Sequence, residues 1–338
     1  MTGPRQGDGP AGAFIEGMNR VKRAPTLVIG VWIATLLLAM PLAIALHEQL
    51  EAHLGASMAA QTAAAGVEYD WWNEFLAQTS GVGASFVPAI LGFAAVIKNL
   101  SIVADTSPVP AVIATAVAMN MIVSLFLVGG VLDRLARDHA VGAGGFFATC
   151  GVFFFRFIRL GLIAGAVYWV LFISFHQWLF DEVYPALIAD VTVERTAFFI
   201  RLGLYVVFAL PVCFSNILFD YAKVRAVVED RRSMVGAVVA SWRFITRHPM
   251  EVSVLYAFNV LLFLIVIGIY YLIAPGGSAN LLAFAVGQLY IVMRVIVRLQ
   301  FTASQTTLFQ GKLAHAGYVA RPVPKWPDSP AAEAIGPR

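Results

Sequence analysis

Residues 252–274 read VSVLYAFNVLLFLIVIGIYYLIA, an apolar run without one charged side chain. A helix of this length, rising about 1.5 Å per residue, crosses the roughly 30 Å of hydrocarbon in a bilayer. Five further runs, 26–46, 109–131, 158–180, 197–217 and 281–300, are nearly as free of charge. Together they predict an all-α fold, a polytopic membrane bundle of six transmembrane helices. Composition points the same way. Of the 338 residues 59% are hydrophobic and only 13% charged, about half the charged share of an ordinary soluble domain.

The basic residues set the topology. Arg5, Arg20, Lys22 and Arg23 precede the first run. Arg134, Arg137, Arg156 and Arg159 flank the second connection, and Lys223, Arg225, Arg231, Arg232, Arg243 and Arg247 the fourth. Counting the tail with Arg294 and Arg298, 20 basic residues fall on one side and 3 (Lys98, Arg195, Arg201) on the other. The positive-inside rule then puts both chain ends in the cytoplasm. The opposite connections are acidic, with Glu48, Glu51, Glu68, Asp70, Glu74 and Asp105 in the first and Asp181, Glu182, Asp190 and Glu194 in the second.

The same landmarks divide the chain. Residues 1–25 form a cytoplasmic amphipathic segment, 26–312 the transmembrane domain, and 313–338 a cytoplasmic tail expected to be disordered. Ala43-Ile44-Ala45 resembles a signal cleavage site, but the run before it exceeds a signal core, so an uncleaved first span is expected. The 47–108 outer loop carries Tyr69, Trp71, Trp72 and Phe75 beside Asp70 and Glu74, the composition of a helix at headgroup level. Residues 84–97, apolar but short and holding Pro88, suit a re-entrant or surface-lying segment. Pro275-Gly276-Gly277-Ser278 reads as a tight turn between the last two spans.

An internal repeat is legible. Residues 12–25 align without gaps on 236–249, matching Gly12 with Gly236, Ala13 with Ala237, Arg23 with Arg247 and Pro25 with Pro249. Phe14, Ile15, Met18 and Val21 then meet Val238, Val239, Trp242 and Ile245, one helical stripe. A weaker third copy has Gly145, Phe147, Phe154 and Arg156, with Ile158 in place of the proline. The unit would be an amphipathic interfacial helix, a span, an outer loop and a returning span, used three times.

Few residues offer chemistry. Asn120, Ser124, Ser215, Asn216, Asn259, Gln288 and Arg294 are polar within apolar runs. Such groups either bond between helices or line a path. Asn120, Asn259 and Gln288, with Arg294, are the candidates for a substrate path, and Arg294 can snorkel or pair with Asp220. Arg231, Arg232 and Arg247 are candidates for anionic-lipid contact. His47, Glu51 and His53 cluster on the outer side without metal-ligand spacing. Cys150 and Cys213 read as reduced thiols. No phosphate loop or nucleophile elbow occurs, so no cofactor, metal or catalytic residue is assigned, and a net charge of +3 does not argue for nucleic acid.

The run Asp220-Tyr221-Ala222-Lys223-Val224-Arg225, then Glu229-Asp230-Arg231-Arg232 and a helix ending Arg247-His248-Pro249, resembles an uncharacterised family of bacterial six-span membrane proteins. These are similar to the membrane domain of some glycerophosphodiester phosphodiesterases. Trp71-Trp72-Asn73-Glu74-Phe75 resembles the first outer loop of that family. The catalytic barrel of those phosphodiesterases has no counterpart here, so the resemblance implies a membrane location and no activity. The expected role is lipid interaction or support of a membrane assembly, with membrane lipids and a second copy or a membrane protein as partners. A small-solute transporter or channel and a lipid-modifying membrane enzyme are the alternatives. Reporter tags fused to the two chain ends should both be found in the cytoplasm; tags on opposite faces would require an odd number of crossings.

Overall fold

The computed structural model describes residues 9–55, 57–65, 68–86, 101, 105–106, 111–138, 140–274 and 280–315. The segment expected at 84–97 lies outside them from residue 87 onward, as do the turn at 275–278 and residues 316–338. Ten helices account for nearly all the described residues, and no strand occurs among them. They are α1 (Pro10–Lys22), α2 (Pro25–Leu54), α3 (Ala59–Ala65), α4 (Tyr69–Gln78) and α5 (Ala111–Arg137), then α6 (Ala143–Ile188), α7 (Glu194–Val228), α8 (Met234–Arg247), α9 (Pro249–Ile273) and α10 (Asn280–His315). Six of them, α2, α5, α6, α7, α9 and α10, are long and apolar enough to cross a membrane. The chain is an all-α polytopic bundle.

Proline marks the joints. Pro25 and Pro249 stand at the first turn of α2 and α9, where a missing N–H costs nothing and φ is already helical. The residues before them share one backbone conformation: φ −125° and ψ 53° at Ala24, φ −129° and ψ 48° at His248. The aligned helices also bury the same positions. Ala13, Gly17 and Val21 are buried in α1, and their counterparts Ala237, Ser241 and Ile245 in α8. Ile15 and Val239, also equivalent, are both exposed. In the third copy Ile158 keeps its N–H and does not crowd the preceding turn, so helix α6 runs through without a joint.

Each copy lies against the span before it. The first part of α6 packs on α5, α8 on α7, and α1 on α10, which joins the two ends of the described chain. Small residues make these approaches close. A Cβ on Gly17 would come within 2.7 Å of the Ser304 backbone N, and one on Gly130 within 2.6 Å of Cys150 Sγ. Gly17, Cys150 and Ser241 occupy one position of the repeat and all are buried. Without a hydrophobic drive between helices in lipid, such close packing supplies the attraction.

Gln300, Gly17 and Arg20 fix how α1 sits. Gln300 Nε2 donates to Phe14 O at 2.8 Å, Gly17 meets Ser304, and Arg20 Nη1 donates to Gln310 Oε1 at 2.7 Å. The pairs advance in the same order, so α1 runs alongside α10 in the same direction. Both described chain ends therefore lie at one end of the bundle, the end that holds the basic residues. The core lies there too: Leu132, Phe157, Tyr221, Val224, Leu255 and Phe309 form one buried cluster.

The opposite, acidic end is open. On α5, Val117, Ala118, Met119, Asn120, Met121 and Ile122 are all exposed. Six consecutive residues take in more than one full helical turn, so no face of that stretch is covered by the described residues. Helix α4 forms where expected and is capped by Glu68, whose Oε2 accepts from Trp71 N at 2.8 Å. Its Trp71 and Phe75 are buried, Trp71 Nε1 donating to His53 Nδ1 at 3.0 Å. Two of its four aromatics thus pack on the end of α2, and Tyr69 is exposed.

Replacing Gly17 by Val should lower thermal stability in detergent, because overpacking against a backbone costs about 1–3 kcal/mol. Gly30→Val, at a position with nothing within 4 Å of the added Cβ, is the matched control. Equal melting temperatures for the two variants would show that the α1–α10 crossing does not hold the fold.

Candidate functional site

The four residues expected to line a path do not meet. Asn120 is exposed on the uncovered part of α5. Asn259 is fully buried, its Nδ2 donating to Leu255 O at 2.8 Å and Ser304 Oγ at 3.0 Å. Gln288 accepts at Oε1 from Trp32 Nε1 at 3.3 Å. Arg294 is exposed, with its guanidinium 5.7 Å from the centre of the Tyr290 ring. Asp220, its expected partner, is instead held by Lys223 Nζ at 2.6 Å, Tyr256 Oη at 2.9 Å and Gln305 Nε2 at 3.3 Å. That network ties α7, α9 and α10 together at the basic end.

Arg231 and Arg232, between α7 and α8, and Arg247, at the end of α8, are also divided. Helix α7 ends in a Schellman turn: Asp230 takes a left-handed φ of 49°, Arg231 N donates to Ala226 O at 3.1 Å and Asp230 N to Val227 O at 3.3 Å. The turn brings Arg231 onto Glu229, which also accepts from Arg225 Nε at 3.0 Å. Arg232 and Arg247 are exposed. Ser233 caps α8, its Oγ accepting from Gly236 N at 3.2 Å.

At the acidic end His47 Nε2 and Glu51 Oε2 are 3.7 Å apart on a highly exposed helix face. His53 faces Trp71 instead of joining them. No group of three His, Cys, Asp or Glu side chains placed to hold a metal occurs among the described residues. Cys150 and Cys213 are free thiols.

A different constellation forms a cavity of about 420 Å³ at this end, lined by Asp105, Thr106, His176, Gln177, Phe180, Asp181, Tyr184, Arg201 and Tyr205. Ligand sites commonly enclose roughly 300–1,000 Å³. Tyr205 Oη donates to Asp105 Oδ1 at 2.5 Å, and Arg201 Nε donates to Tyr205 Oη at 3.1 Å. Arg201 Nη2 reaches Asp105 Oδ1 at 3.4 Å, and Ser101 Oγ donates to Oδ2 at 3.1 Å. His176 is buried, its ring 4.5 Å from that of Phe180. The Tyr205 hydroxyl, with Ser101 and Arg201, holds the Asp105 carboxyl below the usual carboxylate range.

Two features of the backbone shape this pocket. Helix α6 holds two π-helical stretches, Val170–Phe175 and Trp178–Val183, on either side of His176 and Gln177. A π turn takes in an extra residue and rotates the downstream part of the helix by about 100°. Thr106 has φ 47°, a left-handed backbone that a β-branched residue adopts at a cost. The sequence offered one pointer to the site: Arg201 is among the three basic residues on an otherwise acidic side. Tyr205, four residues on along α7, is a neighbour that helical spacing reveals, but Asp105 comes from a loop and Tyr184 follows a π-helical stretch, and spacing reveals neither.

Comparison of the chain with protein-family models, with curated proteins and with solved structures gives no match.

Tyr205→Phe removes the main donor to Asp105, so the Asp105 carboxyl should titrate nearer the usual carboxylate range, as read by side-chain NMR. A lowered carboxyl pKa stabilises the fold above its unfolded value and ceases to as pH falls through the folded one. The stability gap between wild type and variant should therefore be open at neutral pH and close in acid, across that window. A gap independent of pH would break the assignment.

Proposed function

We propose that this chain is a lipid-binding protein of a bacterial inner membrane, with its basic end in the cytoplasm and its open end in the outer leaflet. The observation that carries the reading is the stretch Val117–Ile122, exposed on every face. A partner helix covers one stripe of a helix surface; acyl chains wrap all of it. Leu162, Val206, Leu210 and Leu264, on three other spans, are likewise exposed. The protein offers lipid an apolar surface beyond that of a closed six-helix bundle, and a tightly packed basic end fixes the spread of the helices. The sidedness rests on the distribution of Lys and Arg.

A solute path would need converging polar side chains, and Asn120, Asn259 and Gln288 are far from forming one. The lipid reading is supported over transport on that ground. Purified from detergent, the protein should retain phospholipids through repeated washing, at a fixed molar ratio measured by mass spectrometry. Retention that falls to zero with washing would remove the reading.

A further inference from the structure

We propose that the pocket formed by α6, α7 and the Asp105–Thr106 turn binds the headgroup of a zwitterionic phospholipid, with phosphate on Arg201 and ammonium on Asp181. The proposal rests on the lipid-binding reading and names the class of lipid. Arg201 is held in place from within the protein. Its guanidinium has five N–H donors, of which the contacts to Tyr205 and Asp105 engage two. Half of its side chain is exposed. The remaining N–H groups are left for a ligand, and a guanidinium fork suits a phosphate.

The lining charges decide between an anion and a zwitterion. Arg201 is the one Arg or Lys among the described residues of the lining, beside His176 and against two carboxylates, Asp105 and Asp181. Asp105 is taken up by Tyr205, Arg201 and Ser101. Asp181 makes no ion pair among the described residues and is exposed at the mouth. A headgroup with phosphate alone would meet a net negative pocket; one with an ammonium a few bonds from its phosphate satisfies both groups. Phe180, Tyr184 and Tyr205 ring the same cavity, and the Tyr184 and Tyr205 rings lie against the Arg201 guanidinium and help to hold it in place.

The ligand is a lipid and not a free phosphoamine because the mouth adjoins an apolar wall. Phe198, Phe199, Leu202 and Val206, around Arg201 on α7, are all exposed. The cavity has room for a headgroup, and the wall beside it takes the acyl chains. The π-helical register of α6 delivers His176, Gln177, Asp181 and Tyr184 to the same cavity.

The test uses the full chain in detergent, exchanged with equimolar phosphatidylethanolamine, phosphatidylglycerol and diacylglycerol of identical acyl chains. Retained lipid is counted by native mass spectrometry. Phosphatidylethanolamine should exceed phosphatidylglycerol by about fivefold, the ratio one exposed ion pair supports, and phosphatidylglycerol, held by Arg201 alone, should exceed diacylglycerol. Asp181→Asn, at an exposed site, should bring phosphatidylethanolamine down to the phosphatidylglycerol level with an unchanged melting temperature. Arg201→Gln should bring both phospholipids down to diacylglycerol. Equal retention of all three lipids by the wild type, or a preference for phosphatidylglycerol, overturns the headgroup assignment while the lipid reading stands. Retention of none overturns the lipid reading itself. Binding of soluble O-phosphoethanolamine by a protein that retains no phosphatidylethanolamine overturns the choice of a lipid as its source.

Discussion

The contact of α1 with α10 governs the rest of the molecule. Gly17 lets the Ser304 backbone approach to a distance no side chain would tolerate, and Gln300 and Gln310 fasten the two helices on either side of it. Through this contact the beginning of the described chain is held to its last span. Helix α10 also meets α5 and α7, so the last unit touches both of the others. In lipid, where apolar surface gains little by leaving its solvent, close backbone approach and interhelical hydrogen bonds supply the attraction. The glycine and the polar run of α10 are thus two parts of one device.

That run, Gln300 to Gln310, explains the unequal packing of the two ends. Gln300, Ser304, Gln305, Thr306 and Thr307 are all buried, and Gln305, Tyr256 and Asp220 bond three spans together. The acidic end has no such run; there the helices pair through apolar contacts, Val266, Ile267 and Tyr270 of α9 with Tyr290 of α10 and Leu179 of α6 with Leu204 and Phe208 of α7, and leave other apolar side chains outward. A base bonded across three spans and an upper half with exposed apolar side chains are what the proposed lipid-binding role would use.

Much of this architecture was legible in the residues. The apolar runs gave the six long helices, Pro25 and Pro249 their starting points, Ser233 its cap, and the alignment of 12–25 on 236–249 a pair of helices with matching burial. The polar run of α10 was not legible, because falling hydropathy after residue 300 reads as the end of a span, whereas the helix continues to His315. Arg294 was read as either snorkelling or pairing with Asp220; Lys223, one turn from Asp220 on the same helix, holds the carboxylate instead. Asn120 looked central by its depth in the run, yet depth says nothing about which helices stand beside it. The pocket joins a loop residue to two helices, and no spacing rule connects Asp105 with Arg201 across the sequence.

The two π-helical stretches of α6 have a consequence of their own. Each carries a residue surplus to α-helical phase, so the aim of Asp181 and Tyr184 depends on how many residues lie between Val170 and Val183, more than on which ones. Conservative exchanges along this stretch would leave the geometry standing. Loss of a single codon would turn the downstream rim of the cavity toward lipid, although every lining side chain would still be present.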